Sequence, residues 1–258
     1  MHKPSDVYIK RAAAFLPNPP VSNEQMEAVL GMTGDTPSRV RKMILRSNAI
    51  TSRYYAIDPH TRRATHSNTE LAALAVRGLL EQGLRADEIG SLACGTSYPD
   101  QILPGHAVMV HGLLPQIPPC EVVSTAGVCV AGMAAMKQDV KLLNENIVAY
   151  TVEKPLRYLI AKHGLQADKI DWFLPHYSSG FFRSKLADGL AAAGLPIAEE
   201  KWFTNLHYKG NTGSAAIYII LEEFMRRADI QNGQKILCYI PESGRFSTCF
   251  MLLEAVYA

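Results

Sequence analysis

A thiol, an imidazole and a carboxamide stand at three turns of this 258-residue chain. They are Cys129 in Thr125-Ala126-Gly127-Val128-Cys129, His176 in Leu174-Pro175-His176-Tyr177, and Asn211 in Lys209-Gly210-Asn211-Thr212-Gly213-Ser214-Ala215-Ala216. Each turn ends an apolar, strand-like run and opens a helix-like one. In α/β sheets such turns lie at the carboxyl ends of the strands, where ligands bind. A thiolate there is a nucleophile, and two hydrogen-bond donors polarise a carbonyl. Cys129 leads into a run of small residues, with Ala131, Gly132, Ala134 and Ala135, and a helix N-terminus lowers the pKa of a thiol placed there. Taken singly, a free cysteine is most often a buried core residue, and an asparagine ahead of a helix is most often a cap. Cys, His and Asn at strand-to-helix turns in that order are a rarer coincidence.

The elements that must position these groups follow from hydrophobic period and punctuation. Val7 to Phe15 reads as a strand. Ser22 or Asn23 caps a helix with Glu24 and Glu27 in its first turns. Thr36 to Leu45 is helical and basic on one side (Arg39, Arg41, Lys42), and Thr51 to Ile57 is extended. Asn68 caps a helix over Thr69 to Gly83. Ile89 to Gly95 is a strand, Gly105 to Leu113 a helix, and Cys120 to Ser124 the strand leading to Cys129. Val130 to Lys137 is helical. A long helical pattern from Val140 to His163 is interrupted at Pro155 and ends at Gly164. Ile170 to Leu174 is a strand, followed by a helix capped by Ser178 or Ser179 and running through Ala193. Trp202 to Leu206 is a short strand, Thr212 to Ala228 a helix, and Lys235 to Ile240 and Thr248 to Val256 are strands. The joints Gly83-Leu84-Arg85-Ala86-Asp87-Glu88-Ile89 and Gly164-Leu165-Gln166-Ala167-Asp168-Lys169-Ile170 resemble each other, a weak sign of internal duplication.

Hydrophobic residues make up 48% and charged residues 19%, and the formal charge is +2, so no strong field argues for nucleic acid. Five cysteines without a CxxC pair, and a polar N-terminus, are the pattern expected of free thiols in a reducing cytoplasm. No apolar run has membrane-spanning length, and no histidine spacing suggests a metal.

The segments Asp171-Trp172-Phe173-Leu174-Pro175-His176 and Gly210-Asn211-Thr212-Gly213-Ser214-Ala215-Ala216, with the strand and loop Gly90 to Pro104, resemble the thiolase-fold condensing enzymes of the β-ketoacyl-(acyl-carrier-protein) synthase III group. The resemblance runs from about Val7 to Val256. It implies an α/β fold of duplicated β-α-β-α-β-α-β-β layers and an acyltransferase in fatty-acid or polyketide-like biosynthesis. Cys129 would take an acyl group from a thioester. His176 and Asn211 would then stabilise the enolate formed as a malonyl thioester loses carbon dioxide. The backbone N–H groups of Cys129 and Gly244 would form an oxyanion hole. Arg46 would lie near the coenzyme A nucleotide, Leu103 on the substrate channel, and Arg183 and Lys185 against an acidic acyl carrier protein. The resemblance also implies a homodimer or a related heterodimer. It requires no cofactor beyond coenzyme A or carrier-protein thioesters as substrates. Two departures mark a divergent subgroup: Val130 follows the thiol, and Pro241-Glu242-Ser243-Gly244-Arg245-Phe246 keeps a single glycine.

One stretch does not fit. The first copy of the layer unit stops after the helix at Val130–Lys137, and no strand candidate stands between Gln138 and Ile170. The sequence therefore divides into an N-terminal half, residues 1–138, truncated after its third helix and carrying Cys129, and a C-terminal half, residues 139–258, carrying His176 and Asn211. An irregular region at Gln138–Asp139 and an exposed sheet edge are expected. The truncation opens a second reading, a non-catalytic remnant that binds acyl thioesters or a partner synthase. A Cys-His-Asn hydrolase of the papain type has the same residue types in the same order, but a different context around the thiol and the imidazole.

Overall fold

Alternation along two strands of the second half decides its architecture. In β5 (Trp172–Pro175) Phe173 and Leu174 face opposite ways, and both are fully buried. In β6 (Lys235–Pro241) Leu237 and Tyr239 join Phe173, whereas Ile236, Cys238 and Ile240 join Leu174. A sheet buried on both faces must be covered twice. The computed structural model describes residues 8–32, 34, 36–127, 147–227, 229–242 and 248–256, and there the covering is visible. On one face lie Val152, with Leu156 of α5 (Lys154–His163) and Leu186, Leu190 and Ala193 of α6 (Arg183–Ala193). On the other lie Ile217, Ile220, Leu221 and Phe224 of α8 (Ala216–Met225). Burying each large apolar side chain contributes about 1.5–3 kcal/mol. β5 pairs parallel with β6, and β6 pairs antiparallel with β7 (Thr248–Glu254).

The first half is thinner. β3 (Ser91–Thr96) pairs parallel with β4 (Glu121–Ala126) in the register Ser91↔Glu121. Among the described residues one face is packed, on Ala73 of α3 (Asn68–Glu81) and Val110 of α4 (His106–Gly112), with Leu114 and Ile117. Among the described residues β3 and β4 have no other strand partner. The N–H groups of Glu121 and Gly127 donate to Gly90 and Thr96 of the β3 segment. Those of Val122, Ser124 and Ala126 therefore face away from β3, where no described strand pairs with them. Among the described residues no strand covers the edge that the sequence reading expected to be exposed. The helix expected over 130–137 and the joint at 138–139 lie outside the described residues.

Several boundaries differ from the sequence reading. Residues 8–15 form no strand, since no described segment pairs with them; Arg11 and Ala12 instead contact Gln82 at the end of α3. The first helices are α1 (Met26–Leu30) and α2 (Arg41–Asn48), not Thr36–Leu45, since Pro37 lies ahead of the helical backbone. The extended run Thr51–Ile57 contracts to β2 (Ser52–Arg53), which pairs with β1 (Val21–Ser22). Ser67 caps α3, not Asn68: its hydroxyl accepts from Glu70 N–H while the Glu70 carboxylate accepts from Ser67 N–H, a reciprocal capping box. Trp202 makes a single bridge to Phe173, and the chain then turns into α7 (Leu206–Lys209) instead of extending as a strand.

Pro155 does not break its helix. The residue four before it, Thr151, would ordinarily receive its N–H. The backbone widens into a π-helical turn over Ala149–Glu153, and the Thr151 carbonyl accepts from Thr248 Oγ1 at 2.9 Å instead. The two similar joints match in structure as well: Gly83 (φ 88°) and Gly164 (φ 64°) end helices, and 3₁₀ turns at Ala86–Glu88 and Ala167–Lys169 lead into β3 and β5.

Candidate active site

His176 follows β5 directly. Its backbone N–H donates to the Tyr239 carbonyl of β6 at 2.8 Å, so the sheet ladder holds it. The side chain is 3% exposed, and its Nε2 is buried with no hydrogen-bond partner among the described residues. Burial pushes its pKa down to about 4, so the imidazole is neutral at pH 7. A buried polar atom without a partner is unusual in a folded protein and calls for an explanation. A neutral imidazole in the Nε2–H form is a hydrogen-bond donor suited to an oxygen that gains negative charge.

Asn211 does not follow a strand directly, as the sequence reading expected, but lies in the turn between α7 and α8. Its Oδ1 accepts from the Gly213 N–H at 3.0 Å. That bond fixes the orientation of the carboxamide: the oxygen is used locally, and Nδ2 is the end left to donate outward. Asn211 is exposed, and α8 begins only at Ala216, after a 3₁₀ turn over Gly213–Ala215. Gly213 approaches the end of β3, where an added Cβ would stand 3.6 Å from Ser97 Oγ. The same strand end receives Gly127, whose N–H donates to the Thr96 carbonyl at 3.0 Å. The Asn211 turn and the chain leading towards Cys129 thus reach the carboxyl end of the β3–β4 pair.

A single segment, Asn48 to Arg53, touches both the His176 and the Asn211 turns. On one side Ser179 Oγ donates to Asn48 Oδ1 at 3.2 Å, and Gly180 comes so close that a Cβ there would stand 2.5 Å from Ala49 Cβ. On the other, the Thr51 N–H and hydroxyl both donate to the His207 carbonyl, Ser52 Oγ donates to the Tyr208 carbonyl, and His207 Nδ1–H donates to the Ala49 carbonyl. Gly210, at φ 77°, sits against Arg53, where a Cβ would be 3.0 Å from Arg53 Cβ. Any larger residue at Gly210 would meet both backbone strain and a clash.

Cys129 and Gly244 lie outside the described residues. The four other cysteines are free. Burial raises the pKa of Cys94 and pushes Cys238 up to about 12, which disfavours the thiolate at both. Arg46 is exposed in the last turn of α2, just ahead of the bridging segment. Leu103 is 81% exposed on the loop before α4. Arg183, assigned by resemblance to a carrier protein, is engaged within the chain: it pairs with Glu199 at 2.7 Å, donates to Tyr177 Oη at 3.1 Å and lies over the Trp202 ring. Lys185 is half-buried with its ammonium 4.2 Å from the Phe181 ring centroid. Sequence reasoning missed the bridging segment and Tyr239. Neither carries a local signal, since both act through contacts distant in sequence.

Residues 160–244 match the family described as 3-oxoacyl-(acyl-carrier-protein) synthase III, C terminal. A β-ketoacyl-(acyl-carrier-protein) synthase III of Bacillus cereus is 30% identical over 89 residues, which is 34% of this chain and 26% of that protein. The corresponding protein of Blochmanniella floridana is 37% identical over 75 residues, 29% of this chain and 22% of that protein. The matched stretches thus span about a quarter of these relatives' lengths. In fold the likeness is wider. A tetronic acid condensing enzyme, AbyA1, superposes with a TM-score of 0.76 at 17% identity, over 95% of this chain and 98% of that one. The 3-oxoacyl-(acyl-carrier-protein) synthase III of Aquifex aeolicus superposes at 0.71 with 17% identity, over 95% and 98%. The chain has the thiolase-like fold of the synthase III condensing enzymes. Its likeness to them in sequence is carried mainly by the half that holds His176 and Asn211. Among the described residues no helix is long and apolar enough to cross a membrane, and no cluster of side chains could hold a metal.

Proposed function

We propose that this chain is an acyltransferase of the ketoacyl synthase III type that joins an acyl group to a malonyl-derived unit. The carrying observation is the buried, unpartnered Nε2 of a neutral His176, linked through one segment to the turn where Asn211 offers its Nδ2. Cys129 as thiolate attacks the carbonyl of an acyl thioester, and the thiol of coenzyme A or of a carrier protein leaves. A malonyl thioester then binds with its carbonyl oxygen between His176 Nε2–H and Asn211 Nδ2–H. Loss of carbon dioxide leaves an electron pair delocalised onto that oxygen as an enolate, which the two donors stabilise. The enolate carbon attacks the acyl-Cys129 carbonyl. The new carbon–carbon bond forms as the thiolate of Cys129 departs, releasing a 3-oxoacyl thioester. Arg46 meets the coenzyme A nucleotide, Leu103 the acyl chain, and Lys185 an acidic carrier protein; Arg183, tied to Glu199, contributes by shaping that surface. A second copy of the chain pairs along the edge of β4 that no described strand covers, a strand on which Val123 is exposed. Chemistry of this kind proceeds among free thiols in a cytoplasm and needs no cofactor beyond its thioester substrates. The remnant reading is not favoured, since the fold matches condensing enzymes over 95% of the chain.

Intact mass after incubation with acyl-CoA tests the assignment. The wild-type chain gains one acyl group and Cys129→Ala gains none. Labelling of Cys129→Ala at any other cysteine would overturn it.

A further inference from the structure

Asn211 is reached through α7, and one carboxylate holds α7 at both ends. Asn205, 3% exposed, precedes α7, and its Nδ2 donates to Glu223 Oε2 at 2.9 Å. Tyr208, in the same turn, donates its hydroxyl to Glu223 Oε1 at 2.5 Å. Burial and the neighbouring Glu223 push the Tyr208 pKa up to about 12, so the hydroxyl keeps its proton throughout the working range. The adjacent acid on α8, Glu222, is turned the other way and pairs with Arg226 at 2.6 Å. Asn205 and Tyr208 each donate to a different oxygen of Glu223, so one carboxylate joins both to α8. From Tyr208 the chain has just Lys209 and Gly210 before Asn211. The Asn48–Arg53 segment holds the opposite side of the same turn through the His207 and Tyr208 carbonyls.

We infer that Glu223 is a positioning residue for Asn211: its two oxygens fix α7 against α8 so that the carboxamide meets the thioester oxygen. Glu223 touches no reacting atom. The inference rests on the condensing-enzyme reading, in which Asn211 serves decarboxylation and condensation but not the loading of Cys129. A misplacement of a catalytic donor by an ångström or so lowers a rate on the order of 10- to 100-fold.

Glu223→Ala should therefore slow condensation by that factor while acyl-Cys129 formation stays within about twofold of wild type. Glu223→Gln keeps one acceptor for Asn205 and an amide that Tyr208 can meet as acceptor, so it should recover most of the loss. Hydrogen–deuterium exchange gives a readout independent of activity: amides of residues 206–213 should exchange faster in Glu223→Ala, with those of α6 unchanged. Equal slowing of loading and condensation would overturn the inference and assign Glu223 a general structural role. Unchanged condensation, or unchanged exchange in residues 206–213, would also overturn it. A wild-type chain that neither loads nor condenses would instead refute the condensing-enzyme reading. The exchange comparison would still decide whether Glu223 holds the turn, and Glu223→Gln serves if Glu223→Ala does not fold.

Discussion

The protonation of His176 can be read from stability alone. Its imidazole is 3% exposed, and burial lowers its pKa from 6.5 to about 4. Between those values the unfolded chain binds a proton that the folded chain refuses, so unfolding becomes easier as pH falls. The sign follows from linkage: where the unfolded state binds more protons, stability rises with pH. Above about pH 7 His176 contributes no slope. Below 6.5 it removes about 1.4 kcal/mol per pH unit, or about 3 kcal/mol in all by pH 4. That is a large share of the roughly 5–15 kcal/mol that holds a domain folded. Urea unfolding at pH 7.5 and pH 4.5, for wild type and His176→Gln, isolates the contribution, because carboxylates elsewhere act equally on both proteins. The wild-type chain should lose about 2–3 kcal/mol more than the variant over this interval. Equal losses, or a His176 imidazole proton resonance titrating near 6.5, would refute the reasoning and remove the ground for a neutral donor at this position.

Two further outcomes test the geometry. Gly180→Ala would place a Cβ 2.5 Å from Ala49 Cβ, so it should destabilise the chain by roughly 1–3 kcal/mol and slow condensation, whereas Gly164→Ala, with open space around it, should leave condensation alone. Wild-type stability and rate in Gly180→Ala would show that the bridging segment does not register the two turns. Val123→Lys, half-exposed on β4, should set like charges against each other across a self-paired edge and shift the chain towards monomer in sedimentation equilibrium; a wild-type chain monomeric at high micromolar concentration would refute pairing along β4.

Local signals were legible where they were self-contained. The helical period announces α3 although its cap is Ser67 and not Asn68, the αL glycines Gly164 and Gly194 end α5 and α6, and the apolar run 235–240 is β6. The His176 turn was legible because it couples a strand end to helix punctuation, whereas the Asn211 turn was legible from its Gly-Asn-Thr-Gly run, although α7 and not a strand precedes it. What failed depends on partners. Residues 8–15 have strand composition but no adjacent strand, and Trp202–Leu206 has room for one bridge before Asn205 turns the chain. Pro155 reads as a break, yet a π-helical turn and Thr248 absorb it. Glu223 is one of two adjacent helix acids, and nothing in the sequence distinguishes the one that holds Asn205 and Tyr208 from the one that pairs with Arg226.

The segment Asn48–Arg53 also bears on the order in which this protein assembles. Its contacts with His207 and Tyr208 join residues 156 positions apart. Closing so long a loop costs entropy before any contact repays it, so such contacts form late. During synthesis the segment leaves the ribosome well before its partners exist, and its polar groups stay hydrated until α7 arrives. The stretch bearing Cys129 is also made before His176 and Asn211. In the proposed reaction, a nascent or half-folded chain therefore holds its thiol without the groups that would polarise the second substrate. Docking of residues 48–53 onto the completed second half would then mark the passage from a chain that can at most be loaded to one that can turn over.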